Sequence, residues 1–186
     1  AHWAYKGADS GGDPSYEELS DILPRCDIVT LHVPLAAGGP FPTRGLAGAP
    51  FFSQLKPGAV FVNAARGSVH DTSALELALD HGAVRQAVLD VWEHQPDFEP
   101  ELLRRVEVGT AHIAGYSFEG KLNGTRLCYR EACRFFEQEP SWDPDPLLPP
   151  VELTQLRVDA RGRHPEEVLW EVCRQAYDIE EDDRLL

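Results

Sequence analysis

An arginine, an aspartate and a histidine stand at the ends of apolar runs between Lys56 and Tyr116, a stretch that reads LKPGAVFVNAARGSVHD, then AVLDVWEHQP, then VGTAHIAGY. Arg66 and Asp90 close two runs with the character of buried strands, and His112 closes a third segment. In an open α/β sheet, ligands bind at the carboxyl ends of the strands. These residue types there would bring an anion clamp, a carboxylate and a titratable base to one crevice. A guanidinium presents a planar fork of donors that matches a carboxylate. Gly67, next to Arg66, would let the backbone turn sharply and approach a ligand closely. An imidazole exchanges protons near neutral pH. The combination points to proton and hydride chemistry on an acidic substrate. Each residue also has a plainer reading. Arg66 could make a surface ion pair, Asp90 could cap a turn, and His112 is one of 7 histidines. His32, in LHVPL, reads as a strand-end histidine hydrogen-bonded to backbone.

The elements that must hold these residues alternate between strand and helix. CDIVTLHVPL, AVFVNAA, AVRQAVLDV and EVGTAHIAG read as strands, and CDIVTLHVPL has the near-continuous apolar character of a parallel strand covered on both faces. PSYEELSDIL, FFSQL, TSALELALDHG and ELLRRV read as helical, with Asp71 as the N-cap and Gly82 as the stop of the third. Ser117 caps a long helix expected from Phe118 to about Gln138. The pattern predicts a doubly wound parallel α/β sheet of Rossmann type. It lacks that fold's first strand and Gly-rich turn, because Gly7, Gly11 and Gly12 do not have G-x-G-x-x-G spacing. The Pro-rich EPSWDPDPLLPP is the expected boundary, so residues 1–116 read as a partial nucleotide-binding domain, 117–139 as the long helix, 140–150 as linker and 151–186 as part of a small α+β domain. In that last part VELTQLRVDA reads as a strand. PEEVLWEVCRQAYDI reads as a helix with Val168, Leu169, Val172, Ala176 and Ile179 on one side, and the run from Glu180 to Asp183 as a solvated acidic face.

Composition removes several functional classes. A net charge of −14 argues against a nucleic-acid surface, which needs clustered Lys and Arg. No apolar run approaches the length of a membrane span, and no secretory signal opens the chain. Cys26, Cys128, Cys133 and Cys173 have no CxxC or zinc spacing and read as reduced thiols of a cytoplasmic protein. The chain starts at Ala1 and contains no Met, which suggests a piece of something longer.

NAARG, LDVWE-x-x-P and H-x-A-G, in this order, resemble the D-2-hydroxyacid dehydrogenase family. The segment HIAGYSFEGKLNGT narrows the likeness to members acting on a phosphorylated hydroxy acid, and LLPP with AYDIEEDD resembles their extra C-terminal dimerisation domain. The resemblance implies NAD as cofactor, a small phosphorylated hydroxy acid as substrate and a homodimer. It implies that His112 takes the hydroxyl proton, that Arg66 binds the carboxylate and polarises the forming carbonyl, and that Asp90 holds the nicotinamide amide. Ala64, Ala65, Arg66 and Gly115 would line the cofactor, and Tyr116 would contact the substrate. Val33 stands where the family often carries a threonine, so only its backbone could serve there. Gln95 occupies the position before the proline where the family places a glutamate that charges the catalytic histidine; it can hold the ring but brings no charge. Other readings are a 2-hydroxyacid dehydrogenase acting on phosphoglycerate, and a non-catalytic interaction module of the same fold.

Overall fold

The structure is a computed structural model, and it describes residues 17–97, 100–150 and 155–186. Two compact units are present, one ending at His112 and regained at Leu185–Leu186, the other spanning Ile113–Arg184.

The first unit is a parallel sheet of strands β1 (Ile28–Leu31), β2 (Ala59–Asn63), β3 (Val84–Leu89) and β4 (Val108–Gly109), in the order β1-β2-β3-β4. Parallel strands need crossover connections, and short helices supply them. They are α1 (Leu19–Ile22), which leads into β1, α2 (Ala49–Phe52), α3 (Thr72–Asp80) and α4 (Pro100–Leu103). The core forms where the aromatic rings of α2 meet β2. Phe51, Phe52 and Phe61 pack edge to face with centroids 5.1–6.1 Å apart, a favoured aromatic geometry. Leu75, Val84, Ala87 and Leu89 complete this core and are fully buried. The helix signals hold: Asp71 accepts the Ala74 amide at 2.8 Å, and Gly82 ends α3 at φ +71°.

Strand β1 departs from its expected burial. Of its residues only Leu31 is buried, and Ile28 is 63% exposed. Apolar composition predicted cover on both faces; the strand instead lies at the sheet edge, paired only with β2 among the described residues.

The second unit contains α5 (Phe118–Phe135), α6 (Pro165–Ala176) and α7 (Ile179–Leu185). Ser117 caps α5 by accepting the Gly120 amide at 2.9 Å, and the helix stops short of Gln138 where Glu137 takes φ +53°. The Pro-rich segment is tied to α5: the Tyr129 hydroxyl accepts the amides of Ser141 and Trp142. The expected strand VELTQLRVDA is not found. Residues 151–154 lie outside the described set, and residues 155–160 form no regular element. A strand needs a hydrogen-bonded neighbour, and none of the described residues of this unit supplies one. The acidic run, expected as a solvated face, forms most of α7, where Glu181 is exposed and Glu180, Asp182 and Asp183 are half-buried. On α6, Val168 and Val172 are half-buried while Leu169 is 61% exposed, and Ile179 falls in α7.

Candidate active site

The segments that follow β2, β3 and β4 lock together at the carboxyl edge of the sheet. Asn63, the last residue of β2, is fully buried. Its Oδ1 accepts the Ala65 amide at 3.0 Å and its Nδ2 donates to the Arg66 carbonyl at 3.2 Å. The side chain therefore acts as a brace across the turn that carries Ala64, Ala65 and Arg66. Arg66 itself is exposed, and its Nη1 donates to the Ala65 carbonyl at 2.6 Å. The guanidinium thus lies on its own turn, which leaves it available to an anion.

Gly67 approaches protein rather than ligand. A Cβ there would sit 1.8 Å from the Trp92 carbonyl oxygen and 2.8 Å from the Glu93 nitrogen. The backbone after β2 thereby touches the backbone after β3, and no other residue type would allow it. Trp92 extends the chain of contacts: its buried indole donates to the Thr110 carbonyl at 2.9 Å, fixing the segment after β4. Glu93 is also structural. Its carboxylate accepts the Thr72 amide at 2.9 Å, at the N-terminus of α3, where negative charge is favoured.

Asp90 lies just past β3 and is 6% exposed. The Thr110 hydroxyl donates to its Oδ1 at 2.6 Å, so the carboxylate is fixed as an acceptor at the sheet edge. His112 is half-buried and adopts φ +61°, a left-handed conformation uncommon outside glycine. Such residues persist where the surroundings hold them, often at functional sites. Gln95 Oε1 faces His112 Nδ1 at 3.1 Å. An amide oxygen only accepts, so Nδ1 carries the proton and Nε2 presents its lone pair. That is the tautomer a proton acceptor needs.

The structure therefore brings Arg66, Asp90, Gln95 and His112 to the carboxyl edge of one unit. Gly115 and Tyr116 belong to the second unit, where Tyr116 is 69% exposed and Lys121 Nζ lies 3.4 Å from its ring centroid. His32 pairs with the Thr30 side chain, Nε2 to Oγ1 at 2.8 Å, rather than with backbone. Val33 packs half-buried against the core. All four cysteines are free thiols. Among the described residues no cluster of His, Cys, Asp and Glu could hold a metal ion, and no helix is long and apolar enough to cross a membrane.

Sequence reasoning missed Asn63, Thr110 and His70. Asn63 carried a weak signal, a polar residue ending an apolar run. Thr110 reveals itself only through its pairing with Asp90. His70 is 1% exposed, its Nδ1 lies 2.9 Å from Asn63 Nδ2, and burial pushes it down to about 4 against the pull of Glu93 and Asp71.

The family described as D-isomer specific 2-hydroxyacid dehydrogenase, NAD binding domain, matches residues 5–114. The chain is 39% identical over 176 residues to erythronate-4-phosphate dehydrogenase of Escherichia coli (strain K12), covering 95% of this chain and 46% of that protein. It thus spans about half the length of the curated relatives it matches. Among solved structures, the apo form of Rhodotorula graminis D-mandelate dehydrogenase is 32% identical with a TM-score of 0.59, over 69% of this chain and 38% of that one. D-Lactate dehydrogenase from Aquifex aeolicus, complexed with NAD and lactic acid, is 25% identical with a TM-score of 0.52, over 66% and 40%. A parallel sheet whose carboxyl edge carries Arg66, Asp90 and His112, matched over more than half its length by one family, places this chain in the D-isomer specific 2-hydroxyacid dehydrogenases.

Proposed function

We propose that the chain supplies the nicotinamide-side half of the active site of an NAD-dependent 2-hydroxyacid dehydrogenase. The substrate would be 4-phosphoerythronate, oxidised to its 2-oxo acid in pyridoxal phosphate biosynthesis. The observation that carries the reading is the Gln95–His112 pair, which leaves Nε2 of the imidazole as a base on the segment that follows β4. The substrate assignment rests on the 39% identity to erythronate-4-phosphate dehydrogenase over 95% of the chain.

The residues at this edge suit a nicotinamide. Asp90, held by Thr110, offers an acceptor to a carboxamide N–H, and the small Ala64 and Ala65 let a flat ring approach the turn. When bound, NAD supplies the acceptor for the hydride leaving C2 of the substrate. His112 Nε2 takes the proton of the C2 hydroxyl, so the C–O bond becomes a carbonyl with atoms and charge in balance. Arg66 binds the C1 carboxylate and draws electron density toward the forming carbonyl oxygen. Gln95 fixes the ring in its productive tautomer. The family resemblance also assigns a substrate contact to Tyr116. The active form would be a homodimer.

Turnover of 4-phosphoerythronate with NAD, followed as NADH absorbance in the complete protein, tests this. His112→Gln removes the base and lowers kcat by about a hundredfold or more. Arg66→Lys keeps the charge but loses the planar fork, so KM for the hydroxy acid rises. A wild-type protein that prefers 3-phosphoglycerate would redirect the substrate assignment. A protein that oxidises neither would leave a binding role for the fold.

A further inference from the structure

We infer that His70 is a positioning residue for the carboxylate-binding arginine, acting through the Asn63 side chain. This rests on the reading of Arg66 above.

The Asn63 carboxamide spends its oxygen on the Ala65 amide and one N–H on the Arg66 carbonyl. Its other N–H points to His70 Nδ1, 2.9 Å away. An amide nitrogen only donates, so Nδ1 must be the acceptor and the proton sits on Nε2. His70 thereby fixes which end of the amide is oxygen. Were the amide reversed, its N–H group would face the Ala65 N–H and its oxygen the Arg66 carbonyl, and both bonds across the turn would be lost. The turn in question also carries the Arg66 guanidinium, whose resting partner is the Ala65 carbonyl.

The cost of the arrangement is visible on the other side of the ring. His70 Nε2 is buried and has no hydrogen-bond partner among the described residues. An unpaired buried donor is unfavourable and calls for an explanation. An apolar side chain would fill the same space, against the Phe61 ring 6.3 Å away, without stranding a donor. What it could not supply is an acceptor for Asn63. The backbone is anchored independently, since Ala47 pairs with His70 as a parallel bridge, so the side chain is not needed to hold this segment in place.

The test compares His70→Leu, which fills the volume without an acceptor, with His70→Gln, whose Oε1 can accept. In His70→Leu, hydrogen exchange at the Ala65 amide should accelerate about fivefold, the scale of one lost hydrogen bond, while Phe61 in the core keeps its protection. KM for 4-phosphoerythronate should rise by a similar factor. His70→Gln should restore both. A uniform loss of protection at Ala65 and Phe61, or failure of His70→Gln to restore Ala65, would reduce His70 to a packing role. Unchanged exchange at Ala65 in His70→Leu would overturn the inference outright. Exchange is read without turnover, so a wild-type protein inactive on 4-phosphoerythronate would count against the functional reading and leave this one decided by Ala65.

Discussion

Gln95 presents to His112 the oxygen of an amide where a carboxylate would present charge. The amide selects the tautomer but does little to stabilise an imidazolium, and an opposite charge at that distance favours the protonated ring. Gln95→Glu should therefore raise kcat for oxidation, and should move the acidic limb of its pH–rate profile upward by roughly one to three pH units. A profile that stays in place, with kcat unchanged, would show that charge at this position is irrelevant to the reaction. His70 makes the opposite case, a histidine whose role requires neutrality. Burial holds it near 4 in the folded chain, below its ordinary 6.5, although Glu93 and Asp71 pull it upward. The unfolded chain thus binds this proton more readily than the folded one, and stability is unaffected above pH 6.5 and falls as the pH drops toward 4. The full penalty is on the order of 3 kcal/mol. Urea unfolding at pH 7 and pH 4.5 should show a larger loss in the wild type than in His70→Gln. Equal losses would place the acid sensitivity elsewhere.

At the scale of elements, the site is built by contacts between the segments following successive strands, and Gly67 is the tightest of them. Its missing Cβ is what allows the Arg66 turn to rest on the Trp92–Glu93 backbone. Gly67→Ala cannot relieve the 1.8 Å approach by rotating a side chain, because the opposing atom is a carbonyl oxygen of the main chain. The expected cost is about 1–3 kcal/mol from overpacking, with a shift in Trp92 emission as the two segments separate. Retained stability and an unmoved spectrum would mean that the contact relaxes freely. Asp71→Ala, by contrast, removes only the cap of α3 and should cost about 1 kcal/mol without changing the spectrum. These two cases mark what was legible beforehand. A cap needs one side chain within a turn of its helix, so Asp71 and Ser117 could be read from local sequence. The close approach at Gly67 joins residues 25 positions apart or more; the glycine was evident, but its partner was not. Arg66, Asp90 and His112 were legible because strand ends are local and all parallel strands share an edge. Asn63, Thr110 and His70 were not, because their roles consist of what they touch.

For the whole molecule, the four strands of the sheet follow their sequence order without a reversal, and β1 is left as an exposed edge among the described residues. In doubly wound sheets a dinucleotide lies across the point where strand order reverses, with its pyrophosphate on a Gly-rich turn. The sheet edge carries Asp90 and His112, the groups proposed to face the nicotinamide, but the sequence contains no G-x-G-x-x-G. A hydrogen bond to the carboxamide and contacts to one ring are a small part of what holds a dinucleotide; the phosphates, through backbone amides, supply much of the rest. This stretch of 186 residues, taken by itself, should therefore bind NAD far more weakly than the complete protein does. Calorimetry with NAD on the isolated stretch and on the complete protein makes the comparison. Weak or undetectable binding to the stretch beside clear binding to the complete protein fits a cofactor site divided along the chain. A micromolar Kd for the stretch would mean that the edge formed by Arg66, Asp90 and His112 holds most of the cofactor unaided, and that the pyrophosphate finds its amides within these residues.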